Sequence, residues 1–471
     1  MTFVLQFVSA LFLVLLGETT EGRREHLDAY LTQAYARGTL RGSALVVRDG
    51  EVVYRGAGGL AADELANTPE TRFRIGSLTK IVTQVAVLRL ADRGELDLDA
   101  PIARYRPSAP HAEAITVRQL LNFTSGLPRE LTGDSATSGV AFDERGHAAP
   151  FLDALELELD FPPGQRQAYS NVGYWIVGAL LETVTGSTYE EALRALVFAP
   201  LKLTNTSVDS TLDGTRDGRR LRARGHEQAG DEGLRPVAPY SVRERYASGS
   251  LVSTVDDLNA FFQALGDGDF LSAHARRELF GRFRGALDES APVLEGGGFV
   301  PGFTSYVVYR PARGELVLLL NNRSFASPAE LQRIGASCLR VLEGAAPIEA
   351  SAAQGGLEVR SIDEGLPDTE LARAARSFVQ AVRSQDEAAF VDWHATYMPE
   401  VGEAQVRAQA RKLFLLPEDL GGFEIAVFQA SSPTKLLLGV RGTAAFDVLL
   451  TFTGEGDPLR IDALDIGRAR R

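Results

Sequence analysis

The sequence predicts an α+β protein in which helices flank an antiparallel sheet, followed by a second, smaller α+β domain. Its 471 residues exceed the usual size of one domain and predict two, each able to bury a core. An early hairpin and a late strand pair supply antiparallel strands, and apolar residues at helical spacing lie between them. Residues 344–364, which begin with a stretch rich in Ala, Gly and Ser, are the expected linker between domains at 21–343 and 365–471.

The N-terminus begins with an apolar run over residues 2–16. This run is short for a bilayer span but has the length of a signal-peptide core. We therefore expect residues 1–20 to be a signal peptide and the protein to be secreted or periplasmic. An uncleaved anchor or a misassigned start are the alternatives, and we expect no other membrane-spanning segment.

The antiparallel strands are indicated by two pairs of apolar segments around short turns. Residues 43–47 and 51–56 are joined by an Asp-Gly dipeptide, which tolerates the positive φ angles of a tight hairpin. Residues 306–309 and 315–320 flank a second turn at 310–314. The chain therefore predicts one hairpin near its start and another before the linker.

Composition excludes several classes of function. The formal net charge is −13, and arginine residues are not concentrated into a positive stripe. We therefore expect no binding to nucleic acid. Cys338 is the single cysteine, so an intrachain disulfide is excluded. We expect Cys338 to be a small, buried apolar residue. The six histidines are scattered without the spacing of metal ligands on a helix. We expect neither a metal nor a cofactor.

Ser77 and Lys80 form an S-x-x-K pattern where a helix is predicted to begin. Apolar residues recur at roughly helical spacing until an Asp-Arg-Gly stop at 92–94. The first turn of a helix offers unpaired amides and a positive dipole end, which stabilise a developing alkoxide. The chain has only four lysines, and lysine, unlike arginine, can lose its proton. Ser77 is therefore a candidate nucleophile and Lys80 a candidate base, the alternative being a serine that merely caps the helix.

A second candidate group is the Tyr-Ser-Asn triplet ending at Asn171, which precedes another apolar run. A tyrosine close to a lysine can take up the serine proton and later protonate a leaving group, which makes Tyr169 a candidate acid-base group. The Asn171 amide can bond both Lys80 and a substrate carbonyl. The alternative is a packed tyrosine followed by an asparagine that caps the next helix.

These motifs resemble the serine β-lactamase and penicillin-binding protein superfamily, specifically its class C-like β-lactamase-related hydrolases, over about 24–342. Further stretches share the likeness: Phe-Arg-Ile-Gly-Ser at 73–77, Leu-Leu-Asn-Phe-Thr-Ser-Gly-Leu-Pro at 120–128, Ser-Thr-Val-Asp-Asp-Leu at 253–258 and Pro-Gly-Phe at 301–303. The resemblance implies a three-layer fold in which both strand pairs share one antiparallel sheet, with a helical insert. It also implies an acyl-enzyme at Ser77 and proton sharing between Lys80 and Tyr169.

The resemblance places an oxyanion hole at the amides of Ser77 and Phe299, the latter directly after Gly298. The family usually has Lys-Thr-Gly or His-x-Gly before this position, whereas this chain has three glycines beginning at Gly296. In the family this cation ordinarily faces a substrate carboxylate and helps organise the tyrosine, so its absence leads us to expect a neutral ester or amide substrate. Phe123, where relatives often have histidine, is expected to pack. Glu295 either faces the site or is a solvated loop carboxylate.

The C-terminal quarter is predicted to hold helices at 369–383 and 387–397 and strands at 435–440, 445–452 and 459–466. This order resembles a nuclear-transport-factor-2-like, cone-shaped domain. Three aromatic residues of the second helix either line a pocket or pack in the core: Trp393, His394 and Tyr397. Substrate recruitment, dimerisation and structural support are all compatible roles.

Two functions follow from these residues. The first is a serine hydrolase that acts through an acyl-enzyme on an ester, amide or peptide, resembling an esterase or D-amino-acid peptidase more than an efficient β-lactamase. The alternative is a catalytically impaired, penicillin-binding-protein-like protein that binds its ligand without turnover. Either takes a small molecule or a peptide as its partner, and the sequence leaves its oligomeric state open.

Overall fold

The computed structural model describes residues 20–347 except 63, 132–139, 149–151, 154, 210–215, 218–219, 229–233, 267–268, 282–292 and 325–328. It also describes residues 373–374, 377–378, 380–381, 387–399, 423–432, 435–442, 446–455 and 460–470. The chain divides into one unit over Met1–Ile348 and a second over Glu349–Arg471. The expected signal peptide, most of the linker and most of the expected helix at 369–383 lie outside the described residues.

The described helices of the first unit are α1 (Thr20–Ala36), α2 (Thr79–Asp92), α3 (Val117–Leu121), α4 (Asn171–Thr185), α5 (Tyr189–Leu193), α6 (Val255–Gly266), α7 (Ala273–Gly281) and α8 (Ala329–Leu342). Its described strands are β1 (Gly42–Arg48), β2 (Glu51–Gly58), β3 (Leu60–Ala62), β4 (Leu65–Ala66), β5 (Phe73–Arg74), β6 (Ser207–Val208), β7 (Arg216–Asp217), β8 (Arg220–Leu221), β9 (His226–Gln228), β10 (Leu234–Pro236), β11 (Leu251–Ser253), β12 (Leu294–Val300), β13 (Phe303–Arg310) and β14 (Glu315–Asn321).

The main sheet joins both ends of the first unit. Its order is β12-β13-β14-β1-β2, and all of its strand pairs are antiparallel. Leu318 of β14 lies opposite Leu45 on one side and Val307 on the other. The expectation that the early hairpin and the late strands share one sheet is therefore confirmed. The hairpin turn has positive φ at both Asp49 and Gly50, as a tight turn of this type requires.

The sheet separates two apolar layers, because alternate residues of each strand point to opposite faces. On one face Leu316, Leu318 and Leu320 pack against the helical insert. On the other, Val317 and Leu319 pack with α1 and α8, a layer that includes Cys338. Strand β14 is buried along its whole length, which accounts for the unbroken apolar run at residues 316–320 within it. Burial raises the pKa of the Cys338 thiol to about 12.

Helix α2 runs through the centre of the insert side. Every residue from Thr79 to Leu88 is buried, so this helix has no solvent-facing stripe along that length. Helix α4 is also mostly buried, and Trp175 on it donates a hydrogen bond to Ser248 Oγ at 3.1 Å. The first turn of α2 is thereby enclosed by α4, by the turn before β11 and by the edge of the main sheet.

A buried ion cluster fixes the segment that leads to the first turn of α2. Strand β5 pairs with β11, and Arg74 at its end donates to the Asp209 carboxylate at 2.7 Å. Arg222 contacts the other oxygen of the same carboxylate, and all three side chains are buried. Arg74 also donates to the Tyr240 carbonyl at 3.0 Å.

The second unit contains α9 (Glu387–Tyr397) and a four-stranded antiparallel sheet of β15 (Phe423–Ser432), β16 (Lys435–Gly442), β17 (Phe446–Glu455) and β18 (Arg460–Arg470), paired in that order. Helix α9 and the last three strands occupy the predicted segments. The sequence prediction missed β15. Trp393 and His394 are buried, and the Trp393 ring lies 4.8 Å from that of Phe378, so these aromatic residues pack in a core.

In the described part of the chain, no helix combines the length and apolarity that crossing a bilayer requires.

We predict that Asp209→Asn lowers the free energy of unfolding by about 3–5 kcal/mol, because it leaves two buried guanidinium groups without their carboxylate. The matched control is Asp256→Asn, which removes the carboxylate of an exposed pair with Arg55 and should cost about 1 kcal/mol or less. Urea denaturation of both variants measures the difference. Equal losses would show that the buried cluster does not stabilise the fold.

Candidate active site

Ser77 lies in a short 3₁₀ turn, Gly76–Leu78, directly before α2. Gly76 has φ +51°, and a Cβ atom there would lie 2.7 Å from the Phe299 nitrogen. Only glycine allows β12 to approach the turn this closely. The side chain of Ser77 makes no helix-capping bond, and the residue at the capping position is Leu78. The alternative interpretation of Ser77 as a helix cap is therefore wrong.

Tyr169 contacts the Ser77 hydroxyl directly. Its hydroxyl donates to Ser77 Oγ at 2.8 Å. The Tyr169 ring packs on Phe123 with ring centroids 4.6 Å apart, and Phe123 also lies 5.4 Å from Tyr174. Phe123 thus supports the tyrosine from a backbone position of positive φ, 59°.

The segment after Tyr169 enters helix α4 through Ser170. Ser170 Oγ accepts the Gly173 amide at 2.8 Å and donates to the Pro128 carbonyl at 2.7 Å. Ser170 is therefore the helix cap, and the alternative that Asn171 caps this helix is wrong. Because Ser170 supplies the capping hydrogen bond at the start of α4, the Asn171 side chain is available to the site.

Lys80 projects from the first turn of α2 into this cluster and is only 3% exposed. Its Nζ atom donates to Asn171 Oδ1 at 2.6 Å and to the Ser248 carbonyl at 2.7 Å. The same atom lies 4.8 Å from the centre of the Tyr169 ring. A buried amine needs such partners to offset its desolvation. The structure therefore brings Ser77, Lys80, Tyr169 and Asn171 into one site.

Ser248 was not identified from the sequence, because its contribution is a backbone carbonyl. It follows Tyr246, a buried residue with φ 46° and ψ −135°, which is an unusual conformation for a residue with a side chain. The Tyr246 ring packs 4.7 Å from the Tyr189 ring. This irregular turn directs the Ser248 carbonyl toward Lys80. No local sequence pattern predicts such a turn.

Gly298 and Phe299 lie on edge strand β12 beside the nucleophile. A Cβ atom at Gly298 would lie 2.0 Å from the Ile75 carbonyl oxygen and 2.8 Å from the Ser77 nitrogen. Glycine is therefore required for the strand to meet the Ser77 turn. Ser305 on the neighbouring strand donates to the same Ile75 carbonyl at 2.8 Å and holds the two segments together. The Phe299 side chain is 53% exposed.

Gly296 shares a face of β12 with Gly298, because side chains alternate along a strand. A Cβ atom there would lie 3.8 Å from Leu78 and 3.9 Å from Ile81, which is ordinary packing distance. A side chain at this position would therefore fit against the start of α2.

Glu295 is on the opposite face of β12, where its carboxylate accepts the Tyr306 hydroxyl at 2.9 Å. Burial, followed by the neighbouring Glu295 charge, raises the pKa of Tyr306. Glu295 does not face the site; it is exposed, as the interpretation of a solvated carboxylate expected, but it lies on a strand rather than in a loop. Alternation along β12 explains its direction.

Two charged residues at the rim of the site were also missed. Asn171 Nδ2 donates to the Glu130 carboxylate, and Glu130 lies 3.8 Å from the Arg245 guanidinium. The Arg129 guanidinium lies 5.1 Å from the centre of the Tyr169 ring. Both residues follow the Leu-Pro of the 120–128 stretch in a loop, where no periodicity predicts a side-chain direction. Among the residues with described positions, His, Cys, Asp and Glu form no group of three that could hold a metal ion.

A family model described as Beta-lactamase matches residues 27–336. "Putative penicillin-binding protein PbpX" of Bacillus subtilis (strain 168) is 26% identical over 267 residues, covering 55% of this chain and 63% of that protein. "Esterase EstB" of Burkholderia gladioli is 38% identical over 197 residues, covering 37% of this chain and 49% of that protein. The chain thus matches less than two thirds of the length of either relative.

Among solved structures, D-amino acid amidase from Ochrobactrum anthropi SV3, complexed with L-phenylalanine, matches with a TM-score of 0.56 and 25% identity. The match covers 68% of this chain and 98% of the amidase. The region matched by the family model contains all five strands of the main sheet as well as Ser77, Lys80, Tyr169 and Asn171. This chain belongs to the beta-lactamase family.

Proposed function

We propose that this protein is a serine hydrolase that cleaves an ester, amide or peptide bond through an acyl-enzyme. Ser77 is the nucleophile, Tyr169 is the group that takes up and returns the proton, and Lys80 shares in this acid-base role by stabilising the ionised tyrosine. The 2.8 Å hydrogen bond between the Tyr169 and Ser77 hydroxyls carries this proposal, because it links a nucleophile to a proton acceptor at the distance that transfer requires. Membership of the beta-lactamase family, with an esterase and an amidase among its relatives, supports it.

Acylation requires the Tyr169 oxygen to be ionised, which reverses the direction of its bond with Ser77. Ser77 Oγ forms a bond to the substrate carbonyl carbon while its proton passes to Tyr169, and the carbonyl electron pair moves onto oxygen. When the carbonyl re-forms, the bond to the leaving group breaks and the leaving group takes the proton from Tyr169. Water then repeats these steps against the acyl-enzyme and restores the Ser77 hydroxyl. Positive charge on Lys80, 4.8 Å from the ring, favours the ionised tyrosine.

The oxyanion would be bound by the backbone amides of Ser77 and Phe299. Support comes from the closeness of β12 to the Ser77 turn, which the glycines at 76 and 298 allow. One such donor typically contributes about 2.7–4 kcal/mol to catalysis. The Asn171 side-chain amide, held between Lys80 and Glu130, would orient the substrate.

The preferred substrate is a neutral ester or an amide without a carboxylate next to the reacting bond. Position 296 lacks the family's usual cation, and the partly exposed Glu130 carboxylate sits beside Asn171. Because Arg129 and Arg245 also lie at this rim, Glu130 does not make it negative, and the missing contact at position 296 is what disfavours a substrate carboxylate. The esterase and D-amino acid amidase relatives support this substrate class.

We also propose that the second unit is a nuclear-transport-factor-2-like domain and that the protein is exported. Helix α9 and the antiparallel sheet β15–β18 support the first proposal. The apolar run at residues 2–16 supports the second.

We predict that a fluorophosphonate probe labels the wild-type protein and that Ser77→Ala abolishes labelling. Tyr169→Phe should slow labelling by about 10²–10⁴-fold, since it removes the proton acceptor. The control is Ser187→Ala, beyond the far end of α4. Mass spectrometry of the intact protein measures the adduct. A wild-type protein that stays unlabelled where a related hydrolase reacts would favour the ligand-binding alternative.

We predict that Gly296→Lys raises kcat/KM for an anionic β-lactam by about 10- to 100-fold, because it adds a charge-assisted contact. A short neutral ester should change by no more than about 3-fold. Gly296→Met fills the same space without charge and is the matched control. Steady-state kinetics measure kcat/KM of each variant on both substrates. Equal changes for the β-lactam and the ester in Gly296→Lys would contradict the role assigned to charge.

A further inference from the structure

The loop segment 128–130 is fastened alongside the segment that carries Tyr169. Ser170 Oγ donates to the Pro128 carbonyl at 2.7 Å, and the backbone N–H of Asn171 donates to the Arg129 carbonyl at 2.9 Å. The Asn171 side chain donates to the Glu130 carboxylate. Three successive residues of the loop are therefore tied to the Tyr-Ser-Asn triplet, and the position of Arg129 relative to Tyr169 follows from these bonds.

The Tyr169 ring has two cations close to it, from different elements. Lys80 Nζ, buried at the start of α2, lies 4.8 Å from the ring centre. The Arg129 guanidinium, exposed at the mouth of the site, lies 5.1 Å from the same centre. Within the described parts of the chain, no carboxylate forms an ion pair with Arg129. Its charge is therefore not offset by a described acidic partner.

The other described charged or titratable groups around Tyr169 do not neutralise the positive charges of Lys80 and Arg129 beside its ring. Glu130 is the described carboxylate at this rim, and it is engaged by Asn171 and lies 3.8 Å from Arg245. Tyr174 on α4 is next to Phe123, and Lys80 Nζ lies 5.6 Å from its ring. Two positive groups thus act on the Tyr169 ring, while the rim carboxylate is shared with an amide and a guanidinium.

We propose that Arg129 is a positioning residue that stabilises negative charge on Tyr169 and so replaces, from a different loop, one task of the cation missing at Gly296. A guanidinium over an aromatic ring is attracted to it, and the attraction increases when the ring becomes a phenolate. Arg129 keeps more of Tyr169 in the form that accepts the Ser77 proton at neutral pH. This inference rests on the proposed function, since it assigns Tyr169 the role of proton acceptor.

The test compares Arg129→Met with Arg129→Lys, which retains the charge. Removing the cation makes the phenolate less favourable, so the acidic limb of the kcat/KM profile moves to higher pH. For Arg129→Met we expect kcat/KM at pH 7 to fall by about 3- to 30-fold. This loss should disappear at pH values above the shifted acidic limb. Arg129→Lys keeps the charge but loses the planar stacking of the guanidinium, so its kcat/KM at pH 7 should fall less than that of Arg129→Met. Arg166→Met is the matched control: Arg166 is exposed and stacks at 4.1 Å on Phe161 rather than on Tyr169.

The substrates are a neutral ester and the same ester carrying a carboxylate. The proposal requires the same pH-dependent loss with both. A loss confined to the carboxylate ester would instead make Arg129 a substrate-binding residue and overturn the proposal. A loss of equal size at every pH would indicate a purely structural effect and would overturn it as well.

A second measurement does not need turnover. The ultraviolet absorbance of phenolate, taken as the difference between each protein and its Tyr169→Phe counterpart, reports the ionisation of Tyr169 alone. In Arg129→Met this signal should appear at higher pH than in the wild type. An unchanged titration would overturn the proposal for Arg129 even if the protein is a hydrolase. A shifted titration in a protein that no probe acylates would uphold it and reject the proposed hydrolase function.

Discussion

The site depends on the close approach of strand β12 to the turn that carries Ser77. Cβ atoms at Gly76 and Gly298 would lie 2.7 Å from the Phe299 nitrogen and 2.8 Å from the Ser77 nitrogen, so both positions require glycine. The contact places two backbone segments of different origin side by side, one from the start of α2 and one from the sheet edge. The bond from Ser305 to the Ile75 carbonyl and the buried Arg74–Asp209 pair hold these segments from either side.

The second constraint is the burial of Lys80. A positive charge in this position is costly unless polar partners surround it, and the chain supplies the Asn171 side chain and the Ser248 carbonyl. The bond from Lys80 also orients the Asn171 side chain, which in turn donates to the Glu130 carboxylate. The polar groups of the site are therefore coupled, and their arrangement depends on the irregular turn at Tyr246 as much as on the motif residues.

The charges at the mouth of the site differ from those expected of a penicillin-binding relative. Position 296 has room for a side chain but has none, while Arg129, Glu130 and Arg245 lie around the Tyr-Ser-Asn triplet. This redistribution separates two tasks that one cation would otherwise combine: assisting the tyrosine and attracting a substrate carboxylate. The first is retained through Arg129 in our proposal, and the second has no cation at position 296 to perform it. Our proposal of a neutral ester or amide substrate rests on that missing contact.

The sequence alone determined the fold class, the shared sheet through the family resemblance, and the four residues that meet at the site. Periodicity and turn dipeptides indicated the helices and hairpins because they reflect local geometry, whereas the meeting of the four residues at one site was implied by the family resemblance. The tertiary structure alone decided which residue caps α4, which way Glu295 points, and that the Ser248 carbonyl and the side chains of Glu130 and Arg129 join the site. Those features depend on strand register, on an irregular turn and on contacts between loops distant in sequence, none of which leaves a periodic pattern in the chain.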